Sequence, residues 1–416
     1  MSQTEVQLIK ADAVQTGDIA DSAVTDAKIS GVASSKLTGA LPAISGAALT
    51  NLPASGKAHN LINNGAMLVA QRGVSSTSTM IQTVDRFKAF WTGQDENPTQ
   101  AQGDVAAGTT PYTLGFRKTF KLTNGNQTSG AGATDYFIVR TVLEAQDIAN
   151  SGWNYVSSSS NITLSFWIKS SVAQNFYGNL LTSDGTQYNY RFETGSLTAD
   201  TWTKITKTIP GNSNLQFDND ANAGLSIQVN PYMGTDYTAQ SGDTPLGTWA
   251  AFSGSTIQPD NTSTWWTTND ATLEFTGFQL EVGSVATDFE HRSFGQELAL
   301  CQRYFYLHAD PSEAGGSDNE VIIGQGCYYG NPDHFTTVFF PVRMRTTPTL
   351  VQNTGSNYYV IYRNNGADYS TTVGTLSRHQ SNCCTLYDSS ASGTAGQGTF
   401  LSTYKAGARV SFSAEL

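Results

Sequence analysis

The chain has 416 residues, of which 14% are charged, and a formal net charge of −11, with 23 Lys and Arg residues against 34 Asp and Glu. Phosphate binding relies on clustered Lys and Arg side chains, and none cluster here, so nucleic acid is not an expected partner. No apolar run approaches about 18 residues, and the N-terminus lacks the basic and apolar regions of a cleaved signal, so we expect no membrane insertion.

The first 58 residues are a segment of short repeats built from small side chains. The motif at residues 12–19 recurs at residues 21–29, and every Phe, Tyr and Trp of the chain lies at or after Phe87. Such a segment buries too little apolar surface to offset its own ordering entropy. We therefore predict that residues 1–58 order by lying alongside identical chains about a rotation axis, with a disordered tail as the alternative.

Residues 59–295 contain short runs in which apolar and polar positions alternate, as they do in antiparallel strands. In the run 162–169, Leu164, Phe166 and Ile168 share one face, while Trp167 lies on the other. Several short strands at this spacing make a β-sandwich. We predict strands at 135–143, 162–169, 188–193, 202–209, 225–229 and 273–282, preceded by an early strand that begins at Asn60.

Residues 296–416 are typical of a connector followed by a smaller β-domain. Leu298, Cys301 and Phe305 have helical spacing, which predicts a helix over 296–306 that couples the two domains. Apolar and polar residues then alternate up to Leu416, which indicates that the end of the chain is held in a sheet. We predict further strands at 321–323, 336–342, 358–363 and 408–416.

Three parts of the sequence resemble known families. Residues 23–29 and 43–53 resemble the stem repeats of bacteriophage tail fibres. Residues 279–292, together with residues 297–304, resemble a sequence motif of phage tail proteins. Residues 60–292 as a whole are similar to jelly-roll carbohydrate-binding modules. The resemblance implies a parallel homotrimer of an all-β chain. Its domains are an N-terminal repeat stem (1–58), a jelly-roll β-sandwich (59–295) and a smaller C-terminal β-sandwich tip (296–416).

Two groups of aromatic residues are candidates for sugar binding, because an aromatic ring stacks on the apolar face of a pyranose while polar neighbours bind its hydroxyls. The first group lies in a stretch rich in Gly, Ser, Thr and Asp. Adjacent residues of an extended segment point in opposite directions, so at least one of Trp265 and Trp266 is expected at the surface. Loop packing and trimer contacts are the alternative roles. The group comprises Tyr232, Tyr237, Trp249, Trp265 and Trp266.

The second group belongs to the C-terminal domain and is the preferred receptor site, because the distal end of a fibre meets the host. Tyrosine together with Asn, Ser and Gly is the mixture that recognition loops favour. Tyrosines that alternate on a half-solvated strand are the alternative. The group comprises Tyr328, Tyr329, His334, Tyr358, Tyr359, Tyr362 and Tyr387.

No cofactor, metal centre or catalytic group is predicted. The His and Cys residues have no spacing suited to zinc. The Asp218-Asn219-Asp220 sequence fits an Asx turn better than a calcium loop, although jelly-roll sugar modules often hold a structural calcium. Polysaccharide hydrolysis needs two facing carboxylates, and sequence places no two of the candidate acids together, so we expect no enzyme. The candidates are Asp218, Asp220, Glu274, Glu281, Asp288 and Glu290.

Together these features predict a phage tail fibre, a homotrimer whose N-terminal end binds a virion tail protein and whose C-terminal end adheres to a host-surface glycan or protein. Such a fibre is assembled in the host cytoplasm and resides in the virion tail. One alternative is a purely structural appendage, a capsid fibre or tail connector, in which the aromatic tip residues are buried between subunits. A polysaccharide depolymerase with a carboxylate-lined cleft is the other.

Overall fold

Short runs of alternating side chains form strands throughout the computed structural model, which describes residues 60–240, 242–313 and 320–416. The predicted repeat stem at 1–58 lies outside these residues. The jelly-roll strands are β1 (Ser75–Ser76), β2 (Phe87–Thr92), β3 (Thr99–Asp104), β4 (Lys118–Thr123), β5 (Tyr136–Glu144), β6 (Asn161–Ser170), β7 (Asn175–Thr182), β8 (Tyr188–Ser196), β9 (Thr203–Pro210), β10 (Ala223–Met233), β11 (Thr238–Ala239), β12 (Trp249–Ala251), β13 (Gln258–Pro259) and β14 (Thr272–Val282). The helices among them are α1 (Thr110–Thr113), α2 (Ala145–Ala149) and α3 (Thr264–Thr267).

Two six-stranded antiparallel sheets face each other, and their strand order defines the fold. The first sheet has the order β1-β3-β4-β14-β6-β9, and the second has the order β12-β8-β7-β10-β5-β2. When β4 to β10 and β14 are numbered one to eight along the chain, the two sheets have the orders one-eight-three-six and two-seven-four-five. This is the double Greek-key connectivity of a jelly roll. The predicted jelly-roll β-sandwich is therefore confirmed.

The core lies between the two sheets and is filled by the inward-facing residues of each strand. Leu164, Phe166 and Ile168 of β6 are fully buried there, whereas Trp167 is half-buried on the opposite side. The predicted alternation of β6 is thus confirmed. The closing strand β14 contributes Phe275 to the same core.

A β-bulge in β14 lets two phenylalanines enter the core together. Phe275 and Phe278 are three residues apart, so a regular strand would turn their rings to opposite faces. The register of β14 against β6 shifts around Gly277, which adopts a φ of 67°. Because the bulge absorbs the extra residue, Phe278 stacks on Phe166 with ring centroids 4.6 Å apart.

The strand predictions miss parts of the jelly roll for identifiable reasons. Asn60 does not begin a strand. Its side chain instead donates to the main-chain oxygen of Phe278 at 2.8 Å and accepts from the main-chain N–H of Leu280 at 3.0 Å. The alternation pattern also does not predict β2, β3, β4 and β7. Strand β3, with the sequence TQAQGD, has no apolar alternation that could reveal it.

The C-terminal domain begins with helix α4 (Phe294–Gln302), which Ser293 and Gln296 cap reciprocally in a capping box. The predicted helix over 296–306 extends too far, because Phe305 already lies in a strand. No helix of the described residues is long and apolar enough to cross a membrane. The further elements are β15 (Phe305–Ala309), a 3-10 turn (Pro311–Glu313), β16 (Ile322–Tyr328), β17 (His334–Phe339), β18 (Thr349–Gln352), β19 (Tyr359–Arg363), β20 (Gly366–Ser370), β21 (Thr375–Ser377), β22 (Cys383–Asp388), β23 (Gly398–Thr403) and β24 (Val410–Ser413).

A three-stranded and a seven-stranded sheet form this domain. Their orders are β15-β24-β18 and β20-β19-β23-β16-β17-β22-β21. Phe412 of the smaller sheet and Ile361 and Leu401 of the larger one belong to the same buried cluster. The predicted smaller β-sandwich is confirmed, and β24 is the central strand of its three-stranded sheet, as the alternation near Leu416 indicated.

Charged groups buried between the two domains join them into one compact unit. Glu415, which follows β24, forms ion pairs with Arg86 at 2.5 Å and with Arg72 at 3.1 Å. The Arg86 guanidinium lies 3.4 Å from the centroid of the Tyr304 ring. Tyr304 in turn donates a hydrogen bond to Glu144 at 2.5 Å, so the connector is fixed to the end of β5.

Asp85 is a fully buried carboxyl beside this junction. Burial raises its pKa from 3.8 to about 6, although Arg72 and Gln71 contact it. The folded protein therefore binds this proton more tightly than the unfolded chain does. The stability that results is fully present below pH 3.8 and is lost as the pH rises through about 6.

The free energy of unfolding of the wild type, relative to that of Asp85→Asn, should fall by roughly 2.5 kcal/mol between about pH 4 and about pH 7.5. A tenfold change in proton affinity is worth about 1.4 kcal/mol, and the other titrating groups are common to both proteins. Urea unfolding at the two pH values measures this difference. If the difference in unfolding free energy between the two proteins did not change with pH, it would contradict the raised pKa of Asp85.

Replacing Gly277 by Ala should destabilise the protein by about 3 kcal/mol. The added Cβ would lie 2.7 Å from the Phe116 ring, and the residue would have to keep a left-handed backbone conformation. Gly130→Ala is the matched control. Its φ is 86°, but no atom lies within 4 Å of the added Cβ, so only backbone strain of about 1 kcal/mol is expected. Denaturant titrations compare the two variants, and equal losses would contradict the proposed crowding.

Candidate ligand-binding surfaces

The outward face of the seven-stranded sheet carries aromatic side chains that are open to solvent. Phe339 is 73% exposed, Phe400 48% and Tyr369 47%, and Tyr329 at the edge is 76% exposed. Single exposed apolar residues are common, but a contiguous group of them marks an interaction surface. We call this surface the tip face. It comprises Gln325, Cys327, Tyr329, Phe335, Thr337, Phe339, Tyr362, Tyr369, Thr385, Tyr387, Phe400 and Tyr404.

The strand register arranges the tip face in cross-strand rows. Tyr362 of β19 lies opposite Phe400 of β23, and Phe400 lies opposite Gln325 of β16. Phe335 of β17 lies opposite Tyr387 of β22. Residues two apart on a strand share a face, so the intervening residues point into the core.

One aromatic cluster of the tip face lies on β19, β20 and the end of β23. The rings of Tyr369 and Tyr404 meet edge to face with centroids 4.8 Å apart. The Tyr362 hydroxyl donates to Glu320 at 2.7 Å, and burial together with this hydrogen bond raises the pKa of Tyr362. The phenol therefore stays neutral and its ring is held in one orientation.

A second cluster lies on β17 and β22. Phe335 and Tyr387 stack with centroids 5.0 Å apart, and the Arg378 guanidinium lies 4.6 Å from the Phe335 centroid. The Tyr387 hydroxyl donates to Asp333 at 2.7 Å, and this hydrogen bond raises the pKa of Tyr387. Both clusters thus combine ring faces with fixed polar groups.

Strand β16 separates the two clusters and contributes Gln325 and Cys327 to the surface. Neighbouring strands lie about 4.8 Å apart, so Phe400 on β23 and Phe335 on β17 are on the order of 10 Å apart. Flat rings at this separation, with the Gln325 amide and the Cys327 thiol between them, can stack on the apolar faces of sugar rings while the amide binds their hydroxyls.

Three of the seven predicted tip residues, Tyr329, Tyr362 and Tyr387, lie at the tip face. Tyr358 is half-buried near Gly355 and Gly407, and it lies outside the surface.

Tyr328, His334 and Tyr359 are buried in the core, which corrects the expectation that they lie on a recognition surface. Each belongs to the inward-facing set of its strand. Tyr328 donates to Asp368 at 2.6 Å, and the Nε2 atom of His334 lies 2.7 Å from the hydroxyl of Thr399. Burial lowers the pKa of His334 and, for Tyr359, raises the pKa to about 12.

Trp265 and Trp266 are both fully buried, which corrects the expectation that at least one lies at the surface. The segment is helix α3 rather than an extended strand, so adjacent residues diverge by about 100° instead of 180°. Trp265 packs edge to face on Phe137, and Trp266 stacks on Tyr232. Both indole N–H groups donate to main-chain oxygens.

The sequence predictions missed several exposed rings of the tip face. In β17 the alternation was visible, but both sets of positions contain apolar residues. The pattern therefore does not decide which set faces outward. A usable signal lies in β23, where Phe400 precedes the buried Leu401 and must point the other way. The missed residues are Phe335, Phe339, Tyr369, Phe400 and Tyr404.

A cleft of about 740 Å³ lies beside the domain junction and is lined in part by Asp147, Glu290, Arg292 and Tyr304. Glu290 accepts a hydrogen bond from the main-chain N–H of Asn60 at 2.6 Å and pairs with Arg292 at 3.0 Å. Within the described residues, no group of three or more His, Cys, Asp or Glu side chains is arranged to hold a metal ion.

Three of the other candidate acids are engaged in local contacts. Asp220 accepts from the main-chain N–H of Asn222 at 2.9 Å, which is the contact of an Asx turn. Glu274 pairs with Lys169 at 2.9 Å. Glu281 accepts hydrogen bonds from the main chain and side chain of Thr287.

No protein-family model and no curated protein matches the sequence. Among solved structures, the chain is similar to an enzymatically active domain of tailspike protein 4 from bacteriophage CBA120, with 10% identity and a TM-score of 0.29. That match covers 54% of this chain and only 21% of the tailspike chain, about a fifth of its length.

Two carbohydrate-binding modules are also similar. The N-terminal cellulose-binding domain of Cellulomonas fimi β-1,4-glucanase C has 11% identity and a TM-score of 0.24, over 53% of this chain and 99% of that domain. A family 11 module from Clostridium thermocellum has 11% identity and a TM-score of 0.23, over 51% and 98%. The jelly-roll assignment rests on the strand order of the chain itself.

Phe400→Ala should cost less than about 1 kcal/mol of stability, whereas Leu401→Ala should cost about 2–5 kcal/mol. The two residues are adjacent in β23, but Phe400 is half-exposed and Leu401 is buried. Denaturant unfolding of full-length variants measures both values. A Phe400→Ala loss as large as that of Leu401→Ala would show that the tip face is covered in the assembled protein.

Proposed function

We propose that this protein is a phage tail-fibre protein that adheres to a host-surface glycan through the tip face. The main observation that supports this proposal is the group of exposed rings on a regular sheet, flanked by hydrogen-bonding groups such as Gln325 and Thr337. A pyranose offers an apolar ring face and hydroxyls in the same unit, so it matches both components of this surface.

The phage assignment is supported by the resemblance of residues 23–29, 43–53 and 279–292 to phage fibre and tail proteins. In this proposal residues 1–58 form a stem that assembles as a parallel homotrimer and attaches to a virion tail protein. The chain is assembled in the host cytoplasm and resides in the virion tail. Three tip faces on one stem raise the effective concentration of the second and third contacts, so each single site can be weak.

Adhesion without catalysis is the form of this function that the contacts support best. Glu290 is held by Arg292 and by a main-chain N–H, and Glu281 and Glu274 are engaged in contacts of their own. A hydrolase would instead need one carboxyl group free to donate a proton and a second one facing it. Release of reducing ends from bound polysaccharide would contradict this part of the proposal.

The double variant Tyr362→Ala, Phe400→Ala should lower binding to host cells or glycan arrays by roughly 30-fold per site, since each stacking contact is worth about 1 kcal/mol. Phe294→Ala is the matched control, because Phe294 is 58% exposed on α4, outside the tip face. Binding by full-length protein, lost in the double variant and retained in the control, is the expected result.

Two other outcomes have distinct meanings. If the double variant binds like the wild type but sediments as a smaller species, the tip face joins subunits and the protein is a structural appendage. If the wild type sediments as a monomer, the trimeric stem is wrong even if glycan binding persists.

A further inference from the structure

A row of polar side chains crosses the outward face of the second jelly-roll sheet. The register places Lys88 of β2 opposite Arg140 of β5, Arg140 opposite Gln228 of β10, Gln228 opposite Asn179 of β7, and Asn179 opposite Arg191 of β8. Three cations and two amides therefore lie side by side across five adjacent strands, over a length on the order of 20 Å. We call these five residues the basic row.

Two of the three cations of the basic row, Arg140 and Arg191, lack anionic partners among the described residues, although the chain has 34 acidic residues. Lys88 and Arg140 lie directly opposite each other, and like charges in opposite positions destabilise a sheet. Lys88 donates to the main-chain oxygen of Leu416. The Glu415 carboxylate lies near Lys88 but does not pair with Arg140, so an anion beside Arg140 would relieve the remaining repulsion.

Unpartnered polar atoms lie in the row and next to it. Nη1 of Arg191 and Nδ2 of Asn179 are donors without an acceptor, whereas Oδ1 of Asn189 and Oδ1 of Asn230 are acceptors without a donor. All four side chains are at most 2% exposed. Buried polar groups are costly unless they form hydrogen bonds, so this set suits an occupant that has both acceptor oxygens and hydroxyl groups.

Aromatic side chains position the cation at the open end of the row. The Arg140 guanidinium lies 4.8 Å from the centroid of the half-buried Phe90 ring, and Tyr136 packs edge-on against Phe90 at 6.2 Å. With its amide oxygen turned towards Arg140, Gln228 accepts from Nε and Nη2 at 3.2 Å. A ring and an amide thus hold the guanidinium in one orientation, as a binding residue requires.

The other end of the row is covered by residues 253–261. The main-chain oxygen of Thr256 accepts from Arg191 at 2.6 Å, and that of Ile257 accepts from Arg191 at 3.0 Å and from Asn189 at 2.9 Å. A ligand that reached Arg191 would have to displace these contacts. Arg140 and Lys88 are only half-buried and can be reached without such movement.

We propose that the basic row binds a carboxylate-bearing saccharide. Its carboxylate pairs with Arg140 and Lys88 at the open end. Its hydroxyls hydrogen-bond with the amides of Gln228 and Asn179, which are at most 3% exposed, after the residues that cover these amides move aside. The site lies on the jelly roll and is separate from the tip face, so its test is independent of the proposed adhesion through the tip.

The test measures binding of the full-length protein to polygalacturonate, polyglucuronate and polysialate, each compared with its methyl-esterified, uncharged form. We expect at least one acidic polymer to bind about tenfold or more tightly than its ester, and this binding to weaken as salt rises. Arg140→Gln and Lys88→Gln should each remove most of the preference. Lys204→Gln, which removes an exposed charge from the first sheet, should leave it unchanged.

Thermal unfolding establishes whether each variant is folded. If Arg140→Gln is not folded, Lys88→Gln provides the test. The Tyr362→Ala, Phe400→Ala variant should retain the preference for acidic polymers, which separates the two sites. The proposal is overturned if all three acidic polymers bind no better than their esters, in which case ordered water alone fills the polar row. It is also overturned if Lys204→Gln loses as much binding as Arg140→Gln.

Discussion

Side chains of successive strand residues point to opposite sides of a sheet, and each large sheet of this protein uses one side for a core. Packing dictates the residues of that side. The other side is released from this demand, so its side chains can be chosen for contacts with solvent or a ligand. Leu401 and Phe400 show the division on neighbouring positions of one strand, the first buried in the core and the second half in solvent.

The outward faces of the second jelly-roll sheet and of the seven-stranded sheet differ in their side-chain chemistry. The tip face presents ring faces with fixed phenols, whereas the basic row presents guanidinium and amide groups that have few partners of their own. In the two proposals, the rings select for the shape of a sugar and the cations select for its charge. The junction formed by Glu415, Arg86 and Tyr304 holds both faces in one unit.

Alternation carries most of the information about the fold. It locates strands such as β6 and β14 because their inward residues are uniformly large and apolar. It fails for β3, which contains no large apolar residue, and for Trp265 and Trp266, where one helical turn replaces an extended segment. At the tip, composition indicates the domain that carries exposed tyrosines. It does not show that Tyr328 faces the core while Tyr329 faces solvent, because that difference depends on the strand register, which long-range pairing sets. The basic row is invisible in the sequence because its five members come from five different strands.

The outward position of one cysteine gives the tip face a chemical handle. Cys327 is exposed and lies opposite Phe335, and Cys383 is half-buried opposite Phe339. Cys301 and Cys384 are buried, and burial raises the pKa of Cys384 to about 12. Since the thiolate is the reactive form, alkylating reagents should spare the buried pair. A fluorophore attached at Cys327 would sit among the aromatic rings, where its emission reports directly whether that surface is occupied.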